Sequence, residues 1–483
     1  MRKVLICALA LGGFAASAHA ADLSVDSMKD PLPEGPITYA GVTFYGTVDV
    51  GYGYNSNGAP PSGAFYPGEQ YIMYSGKQNR EAVSAITNNA LSQSTIGAKI
   101  EEDIGYGFVA IGKLDTGFDP MSGELSNACA SLVRNNGVAT ASQASGLDGS
   151  RCGQFLNGQA YGGVSNASYG TLTVGRHNSL DLDVENTYDP MGNSYALSML
   201  GYSATIGGGI GDTETGRWDD SVKYIYQYGP AHVAGMYSSG GPDTSIWGNA
   251  YAANAGITWK GFSVDGVYTK ENGAVSLGSL GANNIGAQTL AATVTDNEAW
   301  TVAGKYVYNF GGSFKDEDPG SKLTIFGGYQ ESQKSNSTDG YVGEASIGGY
   351  VASTLNNTPY AAGAEQTLHT VWTGAKYEMG PWAFTAAYYQ YSQDNYLLSG
   401  ASNTTCAEQT AHNISTGATG DKTGKNCAGA DNEVSGLVDY TFNKHFDVYT
   451  GANWSNAGGG LANGFIGSSL DGVTVVSGFR LKF

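Results

Sequence analysis

The chain has 483 residues, 24 basic side chains against 43 acidic ones, and a formal net charge of −19. Charged residues are 14% and mean hydropathy is −0.22, so the chain is too acidic to hold nucleic acid by its field and too polar for a bundle of membrane helices. Its 72 Gly and 32 Tyr, with only 13 Pro, exclude collagen-like and Pro-rich linker architectures and point to an all-β chain.

The first twenty residues read MRKVLICALALGGFAASAHA. Arg2 and Lys3 form a basic n-region, Val4 to Ala16 an apolar h-region, and Ala18-His19-Ala20 a small-x-small cleavage site. Residues 1–20 are therefore expected to be a cleaved export signal; a membrane anchor is disfavoured by the short apolar run and the missing stop-transfer flank. Cleavage removes two bases and takes the net charge to −21. No later stretch holds the roughly 18 consecutive apolar residues that would suggest a spanning helix. Residues 21–41, with Pro31, Pro33 and Pro36, precede the first strand and are expected to form a periplasmic extension.

From residue 42 onward the dominant signal is period-2 alternation. Val42, Phe44, Val48, Val50 and Tyr52 share one face, while Thr43, Tyr45, Thr47 and Asp49 share the other. The pattern returns over Ser221–Tyr228, Trp300–Tyr308 and Trp382–Tyr388, and last with Val475, Phe479, Leu481 and Phe483 against Thr474, Arg480 and Lys482. Sixteen strands are predicted, over residues 42–52, 94–100, 107–115, 158–165, 169–176, 217–228, 231–238, 249–259, 262–269, 298–308, 322–330, 367–378, 381–391, 432–440, 446–454 and 473–483.

The connections alternate short and long. Asn166-Ala167-Ser168, Gly229-Pro230, Lys260-Gly261 and Met379-Gly380 are tight, whereas 53–93, 116–157, 177–216, 270–297, 331–366 and 392–431 are long; 239–248 and 309–321 are intermediate. Long loops at one end and short turns at the other predict a transmembrane antiparallel β-barrel of about 16 strands, since a backbone in hydrocarbon must close its own hydrogen bonds. Tyr and Trp near strand ends, such as Tyr228, Trp259 and Trp382, fit an interfacial girdle. A soluble sandwich would not need such long loops.

Five Cys are present, and Cys7 lies in the signal. The other four form two local pairs, Cys129–Cys152 and Cys406–Cys427, each within one long loop. An even count in an exported chain favours these two disulfides; free thiols remain the alternative. A zinc site is disfavoured, because none has a second ligand at suitable spacing. Among the His of the mature chain no paired metal motif occurs, and no GxSxG elbow is present. No cofactor and no enzyme activity are expected.

The chain resembles the Gram-negative trimeric general porins. GVTFYGTVDVGYGY at 41–54 is similar to that family's first strand, STIGAKIEEDIGYGFVAIGKLDTGF at 94–118 to its second hairpin, YGTLTVGRHNSLDLDVENTYDPMG at 169–192 to the approach to its third loop, and GFRLKF at 478–483 to its terminal strand. Thr95 stands where the family often has Arg. The resemblance implies an outer-membrane location, a homotrimer with the terminal strands near the threefold axis, and contacts with lipid and lipopolysaccharide. It implies recognition of Phe483 by the outer-membrane assembly machinery, and a barrel over 42–483 whose third loop, 177–216, folds into the lumen. The function it implies is passive diffusion of small hydrophilic solutes and ions. A substrate-specific channel and a plugged surface adhesin are the alternatives.

On that third loop lie Asp181, Asp183, Glu185 and Asp189, with no Lys or Arg between Arg176 and Arg217. Such a run at a constriction would favour cations. By parity the opposing inward bases are Lys99, Lys113, Lys223, Lys305 and Arg480; Arg176 has the outward parity but sits at a strand end.

Overall fold

The structure, a computed structural model, describes residues 36–56, 82–126, 154–202, 205–206, 216–242, 244–278, 289–310, 320–339, 345–347, 350–397, 399, 410–413, 418–422, 428–459 and 469–483. All four mature cysteines, and with them both expected disulfides, lie outside the described residues, as does the export signal.

Sixteen antiparallel strands form the wall: β1 (Val42–Asn55), β2 (Thr95–Gly105), β3 (Phe108–Gly117), β4 (Ala160–Asn166), β5 (Gly170–Asn178), β6 (Arg217–Tyr228), β7 (Ala231–Ser238), β8 (Ala250–Trp259), β9 (Phe262–Gly278), β10 (Thr289–Phe310), β11 (Ser321–Asn336), β12 (Glu365–Met379), β13 (Trp382–Gln393), β14 (Gly429–Asn443), β15 (Phe446–Gly459) and β16 (Ser469–Lys482). Each pairs with its neighbour in sequence, and β16 returns to β1 in the register Thr47↔Lys482 to Asn55↔Thr474. The sheet is closed, so the wall has no free edge to present to lipid. Every predicted strand corresponds to one of these sixteen; the loop-side ends run longer than predicted. At 22 residues, β10 is about twice the length a spanning strand needs, and its far end also pairs in parallel with Tyr350–Asn356.

Alternation along each strand sorts the side chains inside out. Phe44, Trp300, Val302 and Trp259 face outward and are exposed, while Asp49, Thr301 and Tyr389 face inward and are buried. A soluble protein would reverse this, so the apolar exterior fits hydrocarbon. At the end where β16 finishes, rings on successive strands touch: Trp382 and Tyr440 centroids are 4.6 Å apart, and Phe446 and Phe479 are 5.7 Å apart. The turns at this end are tight. Lys260 and Gly261 both have positive φ, 48° and 82°, as a two-residue type I′ hairpin requires.

Two departures from regularity shape the interior. Val83–Asn88 extends the wall beside β1, pairing with Val50–Asn55, and Asn89–Ser94 between it and β2 forms a bulge. The buried Asp49 carboxylate holds this bulge: Oδ2 accepts from the Leu91 and Ser92 amides at 3.0 and 2.7 Å, and Oδ1 from the Tyr449 hydroxyl at 2.5 Å. At the seam, β16 ends at the level of Gly46, where Gly46 and Phe483 exchange backbone hydrogen bonds of 2.9 and 3.1 Å. Beyond that point Ile37–Tyr39 pairs with Val42–Phe44 and continues the edge.

Candidate functional site: the narrowed lumen

After β5 the chain enters the barrel as helix α1 (Leu180–Tyr188). Ser179 caps it, its Oγ accepting from the Leu182 amide at 3.1 Å, and Asp181 and Asp183 occupy the first turn, where the helix dipole favours negative charge. Asp189 ends the helix and Pro190 follows.

The helix lies against β9 to β11. Asp181 accepts from Thr301 Oγ1 at 2.7 Å, from Gln330 Nε2 at 3.4 Å, and from the Thr269 hydroxyl. Tyr188 donates to Asp265 Oδ2 at 2.5 Å. From there the loop follows the wall: Trp372 Nε1 donates to Tyr188 O at 3.1 Å, Tyr389 donates to Asp189 Oδ1 at 2.5 Å, and Pro190 covers Gly374 on β12. Leu197 packs on Gly451 of β15, where an added Cβ would meet its Cδ1 at 2.4 Å. The Ala196 amide and Ser194 hydroxyl donate to Ala90 O of the bulge at 3.0 and 2.9 Å, and the Ile206 amide donates to Gln330 Oε1 at 2.8 Å.

Leu197, Met199 and Leu200 are wholly buried, joined in one apolar core with Trp372, Tyr389 and Tyr449. Among the described residues the third loop meets the wall from β5 round to β16, Asp183 pairing with Lys223 of β6 and Met236 of β7 joining the same core, and it leaves Lys99 on β2 exposed. Its water-facing side is polar: Asn186, Thr187 and Gly192 are exposed and Asp183 is part exposed.

This placement corrects the expectation that four loop acids line the lumen. Asp181, Glu185 and Asp189 are 0, 0 and 4% exposed, and Asp181 and Asp189 bond to the wall. Burial raises the pKa of Asp181 and Asp189, although the hydrogen bonds each accepts oppose the shift. Only Asp183 keeps contact with the lumen, and it is ion-paired to Lys223 Nζ.

The five wall bases stand in different circumstances. Lys223 is buried and also donates to Asn178 O at 3.1 Å. Arg480 is held by Asp447 and Asp439 at 2.7 and 2.6 Å. Lys305 donates to Thr187 O at 3.1 Å, with its ammonium 5.5 Å from the Tyr188 ring centroid. Lys99 and Lys113 sit 5.6 and 5.9 Å from the Tyr45 ring centroid, and Lys113 pairs with Asp115 at 3.0 Å. Arg176 breaks parity through a register shift at Gly175/His177, and its guanidinium reaches Asp219 at 2.6 Å. Phe483 lies over Gly46, whose added Cβ would come 2.3 Å from the ring.

Sequence reasoning missed the anchors Trp372, Tyr389 and Asp49. Their signal was bulk or charge at inward-parity positions where water-facing residues were expected.

A closed sixteen-stranded barrel, apolar outside and polar inside, with one loop lodged in its lumen, defines the class of outer-membrane channel proteins. The Gram-negative porin family model matches residues 7–460, and the chain belongs to that family, whose members are channels of the Gram-negative outer membrane. An outer membrane porin protein of Bordetella pertussis is 26% identical over 224 residues, 46% of this chain and 44% of that protein, so the match spans less than half of the relative's length. Among solved structures, an anion-selective porin from Comamonas acidovorans superposes with a TM-score of 0.53 at 14% identity, covering 92% of this chain and 99% of that one. The outer membrane protein OmpT of Vibrio cholerae, folded in vitro, gives 0.50 at 12% identity, covering 93% and 99%.

Proposed function

We propose that the protein forms a water-filled channel for passive diffusion of small hydrophilic solutes and ions. The carrying observation is the third loop lodged on the inner wall from β5 round to β16, which narrows the lumen on that side and leaves Lys99 of β2 exposed. The cation preference expected from the loop acids loses most of its support, because three of the four carboxylates are buried, two of them bonded to the wall. Lys99, Lys113 and Lys305 stand on the lumen side against Asp183 and Asp115, each already paired with a lysine. That balance favours anions at the narrowed section.

Reversal potentials in a salt gradient across a planar bilayer test this. The wild-type channel is expected to prefer anions. Asp183→Asn, which frees the Lys223 charge, should move the potential further that way, while Asp181→Asn should leave it unchanged. A cation-selective wild type, or a shift with Asp181→Asn equal to that of Asp183→Asn, would refute the assignment.

The reading extends to a homotrimer set in lipid and lipopolysaccharide. Support comes from the outer faces of β2 to β5, which carry exposed Ile96, Ile100, Leu114, Val164, Leu172 and Val174, with the rings Tyr106, Phe108 and Tyr169 gathered at the turn end. A smooth aliphatic face beside the seam suits packing against protein. Sedimentation in mild detergent should give the mass of three chains; a monomeric mass would exclude it.

A further inference from the structure

Near the loop end of β14 two buried acids stand side by side, and no base answers them. Asp431 and Glu433 are two residues apart, so they share one face of the strand; they are 0 and 2% exposed, while Val434 beside them points outward and is exposed. In the ladder Asp431 faces Tyr391 and Glu433 faces Tyr389 of β13, and Glu433 also faces Ser455 of β15. Tyr389 is the residue that holds Asp189 of the third loop, and Glu433 lies within electrostatic reach of both Asp189 and Asp431. Glu433 Oε1 accepts from Ser435 Oγ at 3.3 Å. Asp431 has no such help: neither of its carboxylate oxygens has a hydrogen-bond partner, and the amides of Asn432 and Asn456 give it electrostatic relief alone. A buried carboxylate without a counter-charge is strongly disfavoured, and the counter-charge here has to come from solution.

We propose that Asp431 and Glu433 bind a calcium ion in the wall beside the docked third loop. Two carboxylates carry the charge that one divalent cation cancels, and Asp431 offers both of its oxygens. The donors are oxygens only, which suits a hard cation and not zinc, whose sites are built from Cys and His. Among the described residues no three acidic or His side chains are placed to enclose an ion by themselves, so the Ser455 hydroxyl and water complete the shell. Calcium accepts such a mixed, flexible shell of roughly six to eight oxygens, whereas magnesium demands a tight octahedron. Asp431 is the third residue of β14 from its loop end, within reach of ions from the medium. The ion lies next to the Tyr389–Asp189 bond and removes the repulsion that Asp431 and Glu433 exert on Asp189, so its binding favours the docked loop. The proposal does not depend on what the channel conducts.

The test is terbium luminescence of the purified full chain in detergent at pH 8, after treatment with EDTA. Terbium substitutes for calcium and is excited through nearby Tyr rings, here Tyr389 and Tyr391. The wild type should give Tyr-sensitised emission that calcium quenches at lower concentration than magnesium. Asp431→Asn and Glu433→Gln should each raise the half-saturating terbium concentration by about tenfold or more. Glu365→Gln, an exposed acid at the loop end of β12, should leave it unchanged. Calcium should raise the melting temperature of the wild type and leave that of Asp431→Asn unmoved. In EDTA this variant should melt no lower than the wild type, because it removes an uncompensated charge, and that result separates loss of the ion from misfolding. Emission that is absent from the wild type, or retained in both variants, overturns the proposal. An equal loss with Glu365→Gln shows a diffuse acidic field and overturns the site. A wild type whose melting ignores calcium but rises on acidification shows a proton shared by the two carboxyls and overturns the calcium assignment.

Discussion

Replacing Leu197 with Asp is expected to release the third loop and raise the single-channel conductance while the barrel stays folded. Leu197 is wholly buried, pressed against a glycine of β15 and surrounded by Met199, Leu200 and aromatic wall residues. A carboxylate there has no base to meet it, and the effective penalty for burying an unpaired ion is several kcal/mol. The loop can avoid that penalty by leaving the wall, because nothing in the sixteen-strand ladder depends on it. Leu197→Ala should act in the same direction more weakly, through a lost packing contribution of about 2–5 kcal/mol. Conductance in a planar bilayer reads both variants, and a Leu197→Asp channel of wild-type conductance would show that the loop docks without this core.

Asp49→Ala is expected to damage the barrel itself. Asp49 joins β1, the bulge before β2 and Tyr449 of β15 through three hydrogen bonds to one buried carboxylate. Bonds to a charged acceptor contribute about 1.5–3 kcal/mol each, and the loss also strands one buried and one part-buried amide. A destabilisation of about 4–5 kcal/mol, at the upper end for a single substitution, should lower the temperature at which the folded form disappears on a heated detergent gel. Asp49→Asn keeps one acceptor oxygen and should fall between. If Asp49→Ala melts with the wild type, the bulge is held by other contacts.

The wall was readable because lipid and water impose opposite demands on alternate residues, and that demand repeats at every second position of all sixteen strands. The lumen was less readable because the same rule fails where protein packs against protein inside the barrel. Asp181 and Asp189 look like water-facing acids, yet their partners are the polar groups of an inward wall, among them Thr301 and Tyr389. The sequence Leu180-Asp181-Leu182-Asp183-Val184 alternates like a strand, and it forms a helix. Better evidence lay at the ends: Ser179 as a cap, acids in the first turn, and Pro190 just past the last. Parity treats the wall lysines alike and could not distinguish Lys223, tied to Asp183, from Lys99, for which no ion pair is found among the described residues.

The one-sided lodging of the third loop divides the barrel into regions with different freedom to change. On the β8–β16 side an inward substitution must satisfy both the wall and the loop packed on it, so most replacements there will be lost to instability. Toward β2 and β3, where Lys99 is exposed and Lys113 part exposed, an inward residue meets more solvent, and exchanges of charge or size leave the fold intact. Variation that adapts the protein to a new nutrient or a new toxin should therefore accumulate along β2 and β3, with the covered wall changing slowly and in coordinated pairs.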